Sequence, residues 1–288
     1  MSVLVSVAEV QEALGAAVGV GGGVPAGAGV SRVRLLDVRW SLAAPDGRAA
    51  YLGGHLPGAV YVDLETELSQ HGEPTDGRHP LPTREALEAA ARSWGLCEGD
   101  AVVVYDDWSS LAAARAWWLL RHAGVDVRIL DGGLAAWVAA GVDVETGEVA
   151  VAPGDVTLDW GHMPTIDMVA AGRFPSRGVL IDARAPERYR GEVEPIDPRA
   201  GHIPGAINMP TAGNVDAAGV FFGVEALAER FAAGGVPRDG DVAVYCGSGV
   251  TAAHEIAALE MVGVTAALYP GSWSQWSTTP DAPVATGP

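Results

Sequence analysis

Asp241-Val-Ala-Val-Tyr-Cys-Gly-Ser-Gly-Val-Thr-Ala-Ala-His-Glu-Ile, residues 241–256, reads in three parts. Val242 to Tyr245 is a short apolar, β-branched run, the mark of a buried strand. Ala252 to Met261 has helical spacing, with Ala, Ile and Leu recurring at three and four. Between them lies a tight loop, Cys246-Gly247-Ser248-Gly249-Val250-Thr251, with its cysteine at the strand end. A loop closed by a helix N-terminus points backbone N–H groups inward and favours an anion at its centre. A thiol placed there is favoured as the thiolate, the reactive form. The plainer alternative is a buried, inert cysteine after a strand. The two glycines and the loop position favour the reactive reading.

Working outward, a chain of 288 residues points to two domains of ordinary size, and 49% hydrophobic residues suffice for real cores. A formal charge of −18 argues against nucleic acid or anionic membranes as partners. Positive charge for a small anionic substrate must therefore be concentrated locally. No apolar run reaches the roughly 18 residues of a membrane span, so no transmembrane helix is expected. Met1 to Gln11 lacks the basic start and apolar core of a signal peptide. Two cysteines, Cys97 and Cys246, make neither a disulfide framework nor a zinc site. A cytoplasmic protein in a reducing compartment is expected, with no nucleic acid and no membrane among its partners.

Residues 3–14 have helix-like spacing and lead into a Gly-rich loop, Gly19 to Gly29. Arg32 to Val38 reads as a strand, and Val60 to Asp63 as a second one after the turn Gly54-His55-Leu56-Pro57-Gly58-Ala59. Residues 69–82, rich in His, Gly, Pro and charge, read as a long loop. Thr83, with Glu85 in the following turn, opens a helix. Ala101 to Tyr105 (strand), Leu111 to His122 (helix), Val127 to Leu130 (strand) and Leu134 to Ala140 (helix) complete the first half.

The pattern then repeats. Leu35-Leu36-Asp37-Val38-Arg39 returns as Leu180-Ile181-Asp182-Ala183-Arg184, and Gly54-His55-Leu56-Pro57-Gly58-Ala59 as Gly201-His202-Ile203-Pro204-Gly205-Ala206. Ala101-Val102-Val103-Val104-Tyr105 returns as Asp241-Val242-Ala243-Val244-Tyr245, and Leu130-Asp131-Gly132-Gly133 with Trp137 as Tyr269-Pro270-Gly271-Ser272 with Trp276. Four ordered matches at an offset of about 140 to 147 residues amount to a tandem duplication. Residues 1–142 are read as the first domain, 143–163 as a polar linker and 164–288 as the second. Alternating strands and helices predict two small α/β domains, each a mostly parallel sheet flanked by helices.

What both halves keep reads as scaffold. The Asp37/Arg39 and Asp182/Arg184 pairs suit a structural ion pair or turn, and His55 and His202 a hydrogen bond to loop backbone. The differences point to chemistry. Cys246 faces Asp106, and Ser248 faces Trp108, so only the second half carries a nucleophile. Arg188, which faces Ala43, follows a strand end, where α/β sheets bind ligands, and offers a fork for a carboxylate or sulfonate-like anion. Asp63, where the second half has Pro210, is a candidate to act with Cys246 in a site between the domains. Cys97 reads as inert, His71 and His79 as exposed loop residues, and Trp117, Trp118, Trp137, Trp273 and Trp276 as core or interface packing.

The whole chain resembles the two-domain rhodanese-type sulfurtransferases, the thiosulfate and 3-mercaptopyruvate sulfurtransferases. The resemblance rests on Asp-x-Arg, Gly-His-Ile/Leu-Pro-Gly-Ala, the six-residue loop 246–251 and the closing Gly/Trp segment, in both halves. It implies two tandem rhodanese-like domains, the first non-catalytic. It also implies that Cys246 takes a sulfane sulfur as a persulfide from a small anionic donor and passes it to a thiol, cyanide or thioredoxin-like acceptor. No cofactor and no metal are implied. Gly247, Gly249, Val250 and Thr251 would hold the thiolate and persulfide through the loop, and Cys246, Ser248 and Asp63 match a Cys–Ser–Asp set in the mercaptopyruvate branch. Arg188 matches an arginine for the substrate carboxylate. A second arginine follows in that branch; here Asp197 stands near its place, and Arg199 is the candidate substitute.

The loop itself separates the two donors. Thiosulfate is a dianion helped by cations next to the cysteine, which the thiosulfate branch supplies as Arg and Lys. Mercaptopyruvate leaves as an enolate and needs a proton, which a hydroxyl such as Ser248 can relay. Gly247 and Ser248 therefore favour 3-mercaptopyruvate, with a thiosulfate-preferring enzyme as the alternative. A cysteine phosphatase or arsenate reductase would end such a loop in an arginine, where this chain has Thr251-Ala252-Ala253. A non-catalytic rhodanese-fold binding or regulatory protein is the remaining reading.

Overall fold

The computed structural model describes residues 2–18 and 32–288, and the Gly-rich stretch Gly19 to Gly29 lies outside them. These residues form two compact units that do not divide at one point of the chain. The first comprises Met1–Glu67, Thr83–His162 and Ala218–Val220; the second comprises Leu68–Pro82, Met163–Ala217 and Phe221–Pro288.

The first unit is built on a five-stranded parallel sheet, order β1-β5-β4-β2-β3, from β1 Leu4–Val5, β2 Val33–Asp37, β3 Val60–Tyr61, β4 Ala101–Tyr105 and β5 Val127–Leu130. Its helices are α1 Val7–Val18, α2 Arg48–Gly53, α3 Arg84–Ser93, α4 Ala113–His122 and α5 Gly133–Ala139. The N-terminal segment departs from the expected single helix. Leu4 and Val5 pair with Ile129 and Leu130 at the sheet edge, and the helix starts only after them. Ser6 and Glu9 form a capping box: Glu9 Oε2 accepts from the Ser6 amide at 2.8 Å, and Ser6 Oγ accepts from the Glu9 amide at 3.3 Å. Thr83 caps α3 as expected, accepting from the amide of Ala86. Residues 143–162, read from sequence as linker, belong to this unit; Val156 and Leu158 are buried, and the amides of Gly154 and Val156 bond to the carbonyls of Arg92 and Leu96.

The second unit carries a four-stranded parallel sheet, order β7-β6-β8-β9, from β6 Val179–Asp182, β7 Ile207–Asn208, β8 Val242–Tyr245 and β9 Ala266–Leu268. Its helices are α6 Met168–Arg173, α7 Pro186–Tyr189, α8 Val224–Ala233, α9 Thr251–Met261 and α10 Ser272–Thr278. Parallel strands covered on both faces read as continuous apolar runs, and β8 is buried at all four positions. Phe174, Leu180, Ile203, Tyr245, Trp273 and Trp276 form the core beside it. All five tryptophans expected in packing roles are buried.

The matched motifs are scaffold. Nδ1 of His55 donates to the Tyr51 carbonyl and Nδ1 of His202 to the Tyr189 carbonyl, each imidazole stacked on that tyrosine's ring. Arg39 pairs with Asp37 at 2.9 Å, and Arg184 with Asp182 at 2.6 Å, all four buried. In each unit the last tyrosine of the central strand accepts an amide from the Gly-His turn, Tyr105 from Leu56 and Tyr245 from Ile203. Burial pushes both phenols well above their usual range, so they stay protonated.

Candidate active site

Cys246 is the first residue past β8, and Arg184 and Arg188 follow the neighbouring strand β6, so all three leave the sheet at its C-terminal edge. The thiol is buried, 1% exposed. Two contacts orient the peptides that follow it. The amides of Trp273 and Ser274, in the first turn of α10, donate to the carbonyls of Cys246 (3.0 Å) and Gly247 (2.8 Å). Those carbonyls therefore face α10, and the amide of Gly249 donates to Sγ of Cys246 at 3.2 Å. Gly249 has φ +80°, and a Cβ there would stand 2.5 Å from the Pro270 carbonyl oxygen, so this position takes only glycine. The N-terminus of α9 closes the loop at Val250 and Thr251, adding its partial positive charge.

The first unit shows what the same loop does without a cysteine. Asp106, the counterpart of Cys246, is fully buried, and its carboxylate accepts four backbone amides, from Trp108, Ser110, Ala112 and Ala113, all at 2.8 to 2.9 Å. In the first unit the strand–loop–helix turn is an anion cradle filled by a side chain of the chain itself, and in the second the Gly249 amide meets the Cys246 sulfur. Burial pushes the Asp106 carboxyl up while the four amides pull it down.

Two functional candidates escaped the sequence reading, and both lie on the 68–82 segment. His79 is buried, not an exposed loop residue as expected, and its Nδ1 shares a 2.7 Å hydrogen bond with Oγ of Ser248. Arg78 is held by its own amide donating to Oγ of Ser274, and by an ion pair from Nη1 to Asp197 Oδ1 at 2.6 Å. Its Nε is buried with no hydrogen-bond acceptor. A Cβ built on Gly247 would meet Nη2 of Arg78 at 3.4 Å and Nη1 of Arg188 at 3.5 Å. Two guanidinium groups thus lie within contact distance of position 247, the residue after the nucleophile. The segment's length and polarity hinted at function, but no spacing showed that it belongs with the second unit.

Arg188 is mostly buried and pairs with Glu194 at 2.6 Å and Asp197 at 3.2 Å. Arg199 is engaged elsewhere. Its guanidinium donates to four carbonyls, of Trp276, Ser277, Thr279 and Ala282, at 2.6 to 2.7 Å, clamping the end of α10. Asp63 lies in the first unit, where its Oδ1 accepts the amides of Glu65 and Thr66. His71 is exposed, and Cys97 is half-buried, its amide donating to Asp100. Among the described residues no cluster of His, Cys, Asp and Glu is arranged to hold a metal ion, and no helix is long and apolar enough to cross a membrane.

The arrangement offers a cysteine sulfur that accepts the Gly249 amide beside a helix N-terminus, a hydroxyl–imidazole pair two residues away and two arginines beside the loop. The rhodanese-like domain family matches this chain twice, over residues 26–140 and 167–279. A Mycobacterium tuberculosis protein named "Putative thiosulfate sulfurtransferase SseB" is 52% identical, over 88% of this chain and 91% of its own. The "Probable 3-mercaptopyruvate sulfurtransferase" of Pseudomonas aeruginosa is 45% identical over 88% of this chain and 92% of its own. The crystal structure of SseA from Escherichia coli, solved as a 3-mercaptopyruvate sulfotransferase with the rhodanese fold, superposes with a TM-score of 0.79 at 32% identity. That match covers 95% of this chain and 99% of SseA.

Proposed function

The chain belongs to the rhodanese family and is a sulfurtransferase, and from that premise we propose that it takes sulfur from 3-mercaptopyruvate in preference to thiosulfate, as a persulfide on Cys246. The observation that carries the donor preference is the 2.7 Å contact between Ser248 Oγ and His79 Nδ1, both buried, beside an uncharged Gly247. The thiolate of Cys246 attacks the sulfur of mercaptopyruvate and the S–S bond forms. The carbon–sulfur bond breaks with its electron pair leaving as pyruvate enolate. Nδ1 of His79 supplies a proton through the Ser248 hydroxyl, and the enolate becomes pyruvate. Arg78 and Arg188 hold the donor's carboxylate, the part that the family resemblance implied for Arg188 and Arg199. The loop from Gly247 to Thr251 stabilises thiolate and persulfide alike, through the Gly249 amide and the α9 N-terminus.

In the second half-reaction an acceptor thiolate or cyanide attacks the outer sulfur and returns Cys246 as thiolate. The acceptor is a small thiol, cyanide or a thioredoxin-like protein. Asp63 is assigned with Cys246 and Ser248 on the strength of the family's Cys–Ser–Asp set. The first unit, its cradle filled by Asp106, is assigned no catalysis. Cytoplasmic location suits two free cysteines, one of which must stay reduced to act. Intact-mass analysis after incubation with mercaptopyruvate tests the proposal: a gain of one sulfur, absent in Cys246→Ser, is expected, and no gain with any donor would leave a binding protein.

A further inference from the structure

Asp197 is a charged group of this site that the reaction does not use and that touches both arginines assigned to the donor. Its carboxylate lies between the two arginines, accepting from Nη1 of Arg78 at 2.6 Å and from Nη2 of Arg188 at 3.2 Å, with its side chain 3% exposed. Glu194 accepts from Nε and Nη2 of Arg188, sharing Nη2 with Asp197, and reaches Arg184, which Asp182 also holds. Three cations, Arg78, Arg184 and Arg188, thus meet three carboxylates, Asp182, Glu194 and Asp197. The arginine pair beside Gly247 offers N–H groups without net positive charge.

That balance treats anions unequally. A singly charged carboxylate gains the hydrogen bonds of the arginine pair against the buried charges of Asp197, which lies between them, and of Glu194. A doubly charged anion doubles both its attraction to the arginines and its repulsion from the carboxylates that balance them, so in a partly buried setting, where screening is weak, each carboxylate withholds from a dianion twice the electrostatic gain it withholds from a monoanion. We propose that Asp197 is a charge filter: it fixes Arg78 and Arg188 in place and biases the donor site toward monoanions such as a keto acid over dianions such as thiosulfate. The inference rests on the reading above that the donor's anionic group binds these two arginines.

The test separates binding from turnover. Calorimetric affinities for pyruvate, a monoanion, and sulfate, a dianion, are measured on Cys246→Ser protein with Asp197, with Asp197→Asn and with Asp197→Glu. Asparagine should raise sulfate affinity relative to pyruvate by about tenfold, the size of one charge–charge interaction at a partly buried site. Glutamate, which keeps the charge, should leave the ratio near that of aspartate. An unchanged ratio in Asp197→Asn, or equal shifts in both variants, overturns the filter. Neither anion binding any of the three proteins removes the donor site and the filter with it. A shifted ratio in an otherwise native enzyme that turns over no sulfur donor overturns the proposed function and leaves the filter standing.

Discussion

Nδ1 of His79 lies 2.7 Å from Oγ of Ser248, both side chains buried, although the two residues stand 169 positions apart. The contact makes the serine more than a small loop residue, because a hydroxyl paired with an imidazole can pass a proton that neither would pass alone. Ser248→Ala and His79→Gln should each lower kcat with mercaptopyruvate by about a hundredfold, the scale of general acid catalysis. Thiosulfate, whose sulfite leaving group needs no proton, should lose much less. Equal losses with both donors would assign the pair a structural task.

Arg78 and Arg188 flank Gly247 and together should bind the donor ground state. Arg78→Ala and Arg188→Ala should therefore each raise KM for mercaptopyruvate about tenfold, with a smaller effect on kcat. An unchanged KM in either variant would remove that arginine from the donor site.

Arg199 gives the opposite expectation. Its four bonds to the carbonyls at the end of α10 predict a loss of about 2–4 kcal/mol of stability in Arg199→Ala, read by urea unfolding. KM for either donor should stay near the native value. A raised KM at native stability would return Arg199 to the substrate.

Asp106 satisfies four buried amides, so Asp106→Ala should destabilise the first unit by about 3 kcal/mol or more, since each orphaned donor carries a desolvation cost. Asp106→Asn, which keeps an acceptor oxygen, should cost less. Wild-type stability in Asp106→Ala would contradict the cradle described for this loop.

Much of the fold was legible because the chain repeats. Four motifs recurring in order aligned one half on the other, and the alignment isolated Cys246, Ser248 and Arg188 as differences. Strands such as β8 declared themselves by four consecutive buried apolar residues. Other parts could not be read that way. Arg78 and His79 sit on a segment without regular spacing, written in the first half and packed with the second unit, and nothing local encodes that docking. Arg199 looked available because its partners are carbonyls, which every residue has and no sequence pattern marks. The edge strand Leu4–Val5 was absorbed into the helical spacing that follows it, although Ser6 and Glu9 carried the capping signal that divides them.

The most direct test of the central claim is kcat/KM for 3-mercaptopyruvate and for thiosulfate, measured side by side with cyanide as common acceptor. A ratio of about ten or more in favour of mercaptopyruvate is predicted from an uncharged Gly247, the Ser248–His79 pair and charge-balanced arginines. A preference for thiosulfate would contradict it, leaving the fold and Cys246 in place but taking the proton path and the donor assignment away.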